Sequence, residues 1–132
     1  MSMTGSNADD RHTHKPSETG AVALTLLAKL GGAVTAPALG DGELVRKIGV
    51  AAAALKASNG AALVVCGSND VNIQIIVNAI NEAIGANGKT INWAITSNYR
   101  NGIDADMTQL VADMNSGAVG AVLIHAVNPA YS

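Results

Sequence analysis

The residues with the clearest chemical potential form a short polar loop at 67–70, between an apolar run and a helical pattern. The loop consists of Gly67, Ser68, Asn69 and Asp70. Free N–H groups at a helix N-terminus can hold a phosphate, so the loop is a candidate phosphate site. Short polar side chains are also the preferred helix N-caps, and the Asp70 carboxylate would repel an anion. The sequence therefore favours ordinary capping of the helix, by Ser68, Asn69 or Asp70, over an anion site.

Two further loops follow apolar runs, at 96–100 and at 126–129. Ligands of an open parallel sheet bind beyond the carboxyl ends of the strands, where the strand order reverses. A strand order of 2-1-3 would place the loops at 67–70 and 126–129 on either side of that point. The candidate ligand-binding residues are therefore Gly67, Ser68, Asn69, Asp70, Asn128 and Pro129. In the middle loop, Tyr99 and Arg100 form a candidate solvent-facing contact pair.

The remaining reactive side chains are isolated along the chain. His12 and His14 lie two residues apart beside two aspartates, which resembles a metal site. Their polar, aperiodic surroundings favour solvated or partner-facing side chains instead. His125 lies near the end of an apolar run and is expected to be a buried, hydrogen-bonded histidine. Cys66 has no basic sequence neighbour to lower its pKa, so it is expected to pack as a small apolar residue.

Composition excludes several classes of protein. The chain has 132 residues, the size of one domain, and 48% are hydrophobic, which is enough for a core. A net charge of −2 and only three aromatic residues argue against a nucleic-acid-binding module. The single cysteine excludes a disulfide framework and a multi-cysteine zinc or iron–sulfur site within this chain. The uncharged run at 114–132 is too polar for a transmembrane span, so we expect no membrane insertion.

The order of apolar patterns predicts the fold. Residues 1–16 are polar and aperiodic, typical of an N-terminal arm, and residues 17–132 are expected to form one α/β domain. Two helices, capped by Ser17 and Asp41, precede short strands at 61–66, 90–95 and 119–126 that alternate with two helices. The alternation predicts a Rossmann-like, three-layer α/β/α fold with a short parallel sheet. Since a further helix would normally follow the third strand, the domain is expected to be a fragment of a larger subunit.

Three stretches in order carry a family resemblance: LVVCGSND at 63–70, NEAIG at 81–85 with GKT at 88–90, and LVADMNSG at 110–117 leading to NPAY at 128–131. The series resembles the α/β cofactor-binding domain of the molybdopterin oxidoreductases. It is most similar to the molybdopterin-oxidoreductase-like part of the iron–sulfur subunit of bacterial alternative complex III. The segments at 4–9 and 15–20 are also similar to that protein.

The resemblance implies a domain without catalysis of its own, acting as a structural scaffold in a respiratory electron-transfer complex. In molybdopterin enzymes, loops like those at 67–70 and 126–129 help hold molybdopterin guanine dinucleotide, so the resemblance implies that Gly67–Asp70, Asn128 and Pro129 are the cofactor-binding residues. That cofactor is lost in the iron–sulfur subunit, whose iron–sulfur clusters belong to a separate domain. The implied partners are other domains of the parent subunit and other subunits of a membrane complex. The implied location is the periplasmic face of the bacterial inner membrane, although this sequence shows no twin-arginine signal.

Three alternatives remain open on the sequence. The chain could be a functional molybdopterin guanine dinucleotide-binding domain of a true molybdenum oxidoreductase. It could be the central nucleotide-binding domain of a thiamine-diphosphate-type enzyme. It could also be a stand-alone interaction protein, although a sheet with one bare face would then be expected to self-associate. No nucleophile elbow, Walker loop, dinucleotide glycine fingerprint or metalloprotease motif is present in the sequence to assign a reaction.

Overall fold

The protein is helical. A computed structural model describes residues 3–95 and 102–129, which belong to two compact units, Met1–Thr96 and Ser97–Ser132. The first unit contains the helices α1 (Met3–Ser6), α2 (Thr19–Leu30), α3 (Gly42–Ala57) and α4 (Val71–Ala83), and a 3₁₀ turn at Pro16–Glu18. The second contains α5 (Asp104–Asn115).

Helix α2 is the centre of the first unit, because it packs against both α3 and α4. Apolar side chains from all three helices form the core, and they are joined by two residues that follow α4. The buried apolar residues are Leu27, Leu44, Ile48, Ala52, Val77, Ile80, Ile84 and Ala86. On α3 and α4, the buried apolar residues are three or four positions apart, which is the spacing of one helical face.

The start of α3 confirms the predicted Asp41 cap, and the start of α4 shows that Asp70 is the one used among its three candidate caps. Asp41 Oδ1 accepts hydrogen bonds from the N–H groups of Glu43 and Leu44, at 2.9 and 3.1 Å. Asp70 caps α4 in the same manner. The prediction that Ser17 caps α2 is wrong, because Ser17 lies inside the 3₁₀ turn and Glu18 occupies the cap position without a side-chain bond. Pro16 starts that turn because its fixed φ suits the first helical position.

Glycines end two of the core helices by the same geometry. After α2, the N–H of Gly31 donates to Ala28 and that of Gly32 donates to Leu27, with Gly31 at φ +102°. After α4, Gly85 takes φ +65°. This left-handed position favours glycine and satisfies the last carbonyl groups of the helix.

The predicted Rossmann-like α/β fold is wrong: residues 3–95 and 102–129 contain no sheet, only an isolated parallel bridge between Asn87 and Ile91. The physical reason lies in the segment 61–66, the first of the expected strands. Side chains occupy the backbone groups that a neighbouring strand would need. The N–H and C=O of Val64 are both bonded to the Asn81 amide.

The second expected strand, 90–95, is instead a tight turn. The N–H of Ile91 donates to the carbonyl of Ala86 at 3.0 Å, and the N–H of Gly88 donates to the carbonyl of Ile91 at 2.9 Å. These local bonds fold the segment back on the end of α4. The β-branched residues of the segment therefore belong to a largely exposed turn and not to a strand.

The third expected strand, 119–126, forms no regular structure in the second unit. Leu123 is fully exposed, and Ala126 takes a positive φ of 55°, which interrupts any extended run. Helix α5 exists as expected, and Gly117 ends it at φ +77°. Its apolar residues Met107, Leu110, Val111 and Met114 are exposed, however, and α5 contains no buried residue.

Candidate functional site

The loop at 67–70 is closed by hydrogen bonds within the chain. Asp70 Oδ1 accepts from the N–H groups of Asn72 and Ile73, at 2.8 and 3.2 Å. Ser68 Oγ accepts from the N–H of Asp70 at 3.1 Å. Three donors at this helix end, the N–H groups of Asp70, Asn72 and Ile73, are therefore already bound to side chains. The geometry is that of the capping alternative, and cofactor binding by Gly67, Ser68, Asn69 and Asp70 stays a prediction.

Two amide side chains on α4 fix the segment that leads into this loop. Gln74 Nε2 donates to the carbonyl oxygens of Cys66, at 3.1 Å, and Ser68. Seven residues further along, the Asn81 amide bonds both backbone groups of Val64. Residues seven apart lie on one face of a helix, so Gln74 and Asn81 form a row along α4. We name this pair the amide row.

The side chain of Thr90 also bonds the backbone of the segment that leads into the loop, as the amide row does. Thr90 Oγ1 donates to the carbonyl oxygen of Ala62 at 2.8 Å. Residues 62, 64 and 66 thus each have a backbone group bonded to a polar side chain. The sequence did not lead us to predict that these side chains bond the backbone of residues 62–66. Gln74 and Asn81 nevertheless interrupt an otherwise apolar helical face at a spacing of two turns. That interruption was the available signal.

The other predicted cofactor residues lie in the second unit. Asn128 and Pro129 belong to the exposed segment after α5. Thus the structure brings Gly67, Ser68, Asn69 and Asp70 together in one loop, and it describes Asn128 and Pro129 as a separate segment. The middle loop at 96–100, which includes Tyr99 and Arg100, lies outside the described residues.

Two of the three histidines, His12 and His14, form hydrogen bonds with other parts of the first unit. His12 Nε2 donates to Asp41 Oδ2 at 3.3 Å, and His14 Nε2 donates to Thr19 Oγ1 at 3.0 Å. The Thr19 hydroxyl donates its own hydrogen to the carbonyl of Pro16, so its oxygen is the acceptor in the bond with His14. The prediction of a buried His125 is wrong, because this side chain is exposed on a segment that forms no strand. In the described ranges, no three His, Cys, Asp or Glu side chains are placed to share a metal ion.

A cleft of about 500 Å³ opens between the N-terminal arm, α2 and α3. Its apolar walls come from the two helices and its polar wall from four arm residues. The wall residues are Val22, Leu26, Leu44, Ile48, Val50, Ala51 and Ala54 on the helices, and Asp9, Asp10, Arg11 and His12 on the arm, with Lys47 at the polar side. The arm is therefore part of the cleft and not a detached tail.

Two carboxylates of the arm and of the α3 cap form polar contacts near this cleft. Lys47 Nζ lies 2.6 Å from Asp10 Oδ1. The hydrogen bond from Lys47 and its positive charge hold the pKa of the Asp10 carboxyl below its ordinary value. The pKa of Asp41 is also lowered, first by the N–H of Leu44 and then by the bond from His12. Both carboxylates are therefore acceptors in the charged form at neutral pH.

Comparison of the chain with protein-family models, with curated proteins and with solved structures finds no match. Among the described helices, none combines the length and the apolar content that a membrane crossing requires.

Proposed function

We propose that the chain is a structural, non-catalytic domain of a molybdopterin oxidoreductase-like subunit in a respiratory electron-transfer complex. The proposal rests on the ordered series of motifs in the sequence, from LVVCGSND at 63–70 to NPAY at 128–131. It keeps the scaffold role that the resemblance implies. It does not keep the parallel-sheet fold, which the structure contradicts.

The observation that carries the scaffold role is the internal bonding of the loop at 67–70. Asp70 occupies the helix N–H groups, and Gln74 occupies the carbonyl of Cys66. A dinucleotide would have to displace these contacts and lie against the Asp70 carboxylate, at a cost in both hydrogen bonds and repulsion. The arrangement supports a loop that stabilises its own chain over one that holds a cofactor.

Exposed apolar side chains support association with other parts of a larger assembly. Val65 and Ile95 are each 79% exposed in the first unit, and Leu123 is 100% exposed in the second. Burying one such side chain stabilises a contact by about 1.5–3 kcal/mol. Other domains of the parent subunit and neighbouring subunits would supply that contact. Without them, the isolated chain is expected to self-associate, which sedimentation velocity over a range of concentrations would detect.

Affinity purification from the native cells, with this protein as the bait, tests the scaffold role. We expect the chain to be recovered from the periplasmic side of the membrane fraction, within a complex that contains iron and oxidises quinol. Recovery as a free protein without redox partners would contradict the proposal.

Cofactor analysis of the same preparation separates the alternatives. A functional molybdopterin guanine dinucleotide-binding domain requires molybdenum or tungsten in proportion to the chain. A thiamine-diphosphate-type enzyme requires that cofactor in extracts of the purified protein. The scaffold proposal expects iron but neither molybdenum nor tungsten, and no thiamine diphosphate, and the presence of either cofactor in stoichiometric amount would overturn it.

A further inference from the structure

The N-terminal arm is attached to α3 and its cap by two charged contacts. Asp10 Oδ1 lies 2.6 Å from Lys47 Nζ, and His12 Nε2 lies 3.3 Å from Asp41 Oδ2. Asp41 and Lys47 are six positions apart, so both contacts lie at the first half of α3. The arm residues between them form the polar wall of the 500 Å³ cleft.

The contacts that hold the arm differ in kind from those that hold the helices. No residue from 9 to 12 is buried, and the segment is fastened by the Asp10–Lys47 ion pair and by the bond from His12 to the Asp41 carboxylate. By contrast, Leu27, Leu44 and Ile48 are buried where α2 and α3 pack. Salt screens exposed charges, with a Debye length of about 3 Å at 1 M, but leaves apolar burial in place.

We propose that residues 9–12 form a strap that charged contacts hold across the cleft between α2 and α3. Its attachment is electrostatic, so the strap lifts when those contacts are screened while the two helices stay packed. The pivot lies at the 3₁₀ turn, where the N–H of Glu18 donates to the carbonyl of Lys15 at 2.8 Å and His14 is bonded to Thr19. Lifting the strap exposes the apolar cleft walls, which include Val22 and Leu26.

The Asp41 carboxylate couples the strap to the start of α3. One oxygen accepts the N–H groups that cap the helix, and the other accepts the His12 bond. The strap contact therefore uses the oxygen that capping leaves available. Releasing His12 does not require the cap to break, which is why the helices can outlast the strap.

Trypsin cleavage between Arg11 and His12 measures strap lifting, because a protease needs the bond free of its neighbours. Lys47→Met removes the Asp10 contact without changing the sequence around the cleaved bond. Lys47→Arg keeps the positive charge. Lys56→Met is the matched control, since Lys56 is an exposed lysine near the end of the same helix. Mass spectrometry follows this one cleavage, and circular dichroism at 222 nm follows the helices.

We expect Lys47→Met to be cleaved severalfold faster than the original protein at low salt, with an unchanged circular dichroism signal at 222 nm. The Lys47→Arg and Lys56→Met variants should be cleaved at the rate of the original protein. Adding 1 M NaCl should raise the cleavage rate of the original protein at least to that of Lys47→Met at low salt, relative to a short reference peptide that corrects for trypsin itself. Equal cleavage of Lys47→Met and Lys56→Met, or loss of helical signal together with cleavage, would overturn the proposal.

Discussion

The side-chain amide of Asn81 is bonded to both backbone groups of Val64. The N–H of Val64 donates to Asn81 Oδ1 at 2.9 Å, and Asn81 Nδ2 donates to the carbonyl of Val64 at 2.8 Å. Asn81 is only 3% exposed. One side chain therefore does for Val64 what a neighbouring strand would otherwise do, and it attaches the segment 61–66 to α4.

Asn81→Ala should destabilise the protein, because both groups of Val64 lose their partners. Val64 is half-buried, so water replaces the lost bonds only in part. We expect a loss of about 1–3 kcal/mol in the free energy of unfolding, measured by urea denaturation. Asn78→Ala, an exposed position on the same helix, is the control and should change stability by about 0.5 kcal/mol or less. Equal effects of the two substitutions would show that the bonds to Val64 contribute nothing.

The helices were accessible from the sequence because local signals specify them. Asp41 and Asp70 lie directly before apolar residues at helical spacing, and both cap a helix. Gly31 and Gly85 follow such patterns and take the positive φ that ends a helix. These signals act within one or two turns of the chain, so a local sequence pattern is sufficient.

The sheet was predicted incorrectly because strand pairing is not a local property. The apolar residues at 61–66 are compatible with a buried strand, but the pattern does not show what bonds their backbone groups. In the structure that role belongs to Asn81, which is seventeen positions from Val64. For the candidate site, the sequence indicated Asp70 as one of three candidate caps, but it gave no sign that the arm residue His12 contacts Asp41.

Glycine at position 85 is required by both its backbone and its surroundings. Its φ of +65° is unfavourable for other residues, and an added Cβ would lie 2.9 Å from Asn59 Oδ1. We therefore expect Gly85→Ala to cost at least about 1–2 kcal/mol of stability. Gly40→Ala is the matched change, because nothing lies within 4 Å of an added Cβ there and its φ is not positive. Thermal unfolding of both variants makes the comparison, and a Gly85→Ala midpoint equal to that of Gly40→Ala would contradict the account.

Acid should weaken the contacts that Asp10 and Asp41 make. Each carboxyl has a folded-state pKa below its ordinary value of 3.8, because hydrogen bonds favour the charged form. A lowered pKa in the folded state means that the stabilisation is complete well above pH 3.8 and is lost as the pH falls through the lowered value. The neighbouring charges of Arg46, Lys47 and His12 act in the same direction.

Asp41→Asn tests this pH dependence, since asparagine still caps a helix but carries no charge. The variant should have a lower unfolding midpoint than the original protein at pH 7, and the difference should shrink at pH 3, where the aspartate begins to be protonated. Circular dichroism melts at a fixed ionic strength measure both midpoints. A difference between the two proteins that does not change with pH would mean that the carboxylate charge is irrelevant.

Nuclear magnetic resonance of the uniformly labelled chain tests the central claim most directly, namely that Asn81 and not a neighbouring strand bonds Val64. The account predicts nuclear Overhauser contacts between the side-chain amide protons of Asn81 and the backbone of Val64, and two hydrogen-bond couplings between those groups. It also predicts no regular series of interstrand contacts from residues 61–66. A continuous parallel ladder joining 61–66 to 90–95 or to 119–126, with a solvent-exposed Asn81 amide, would contradict it.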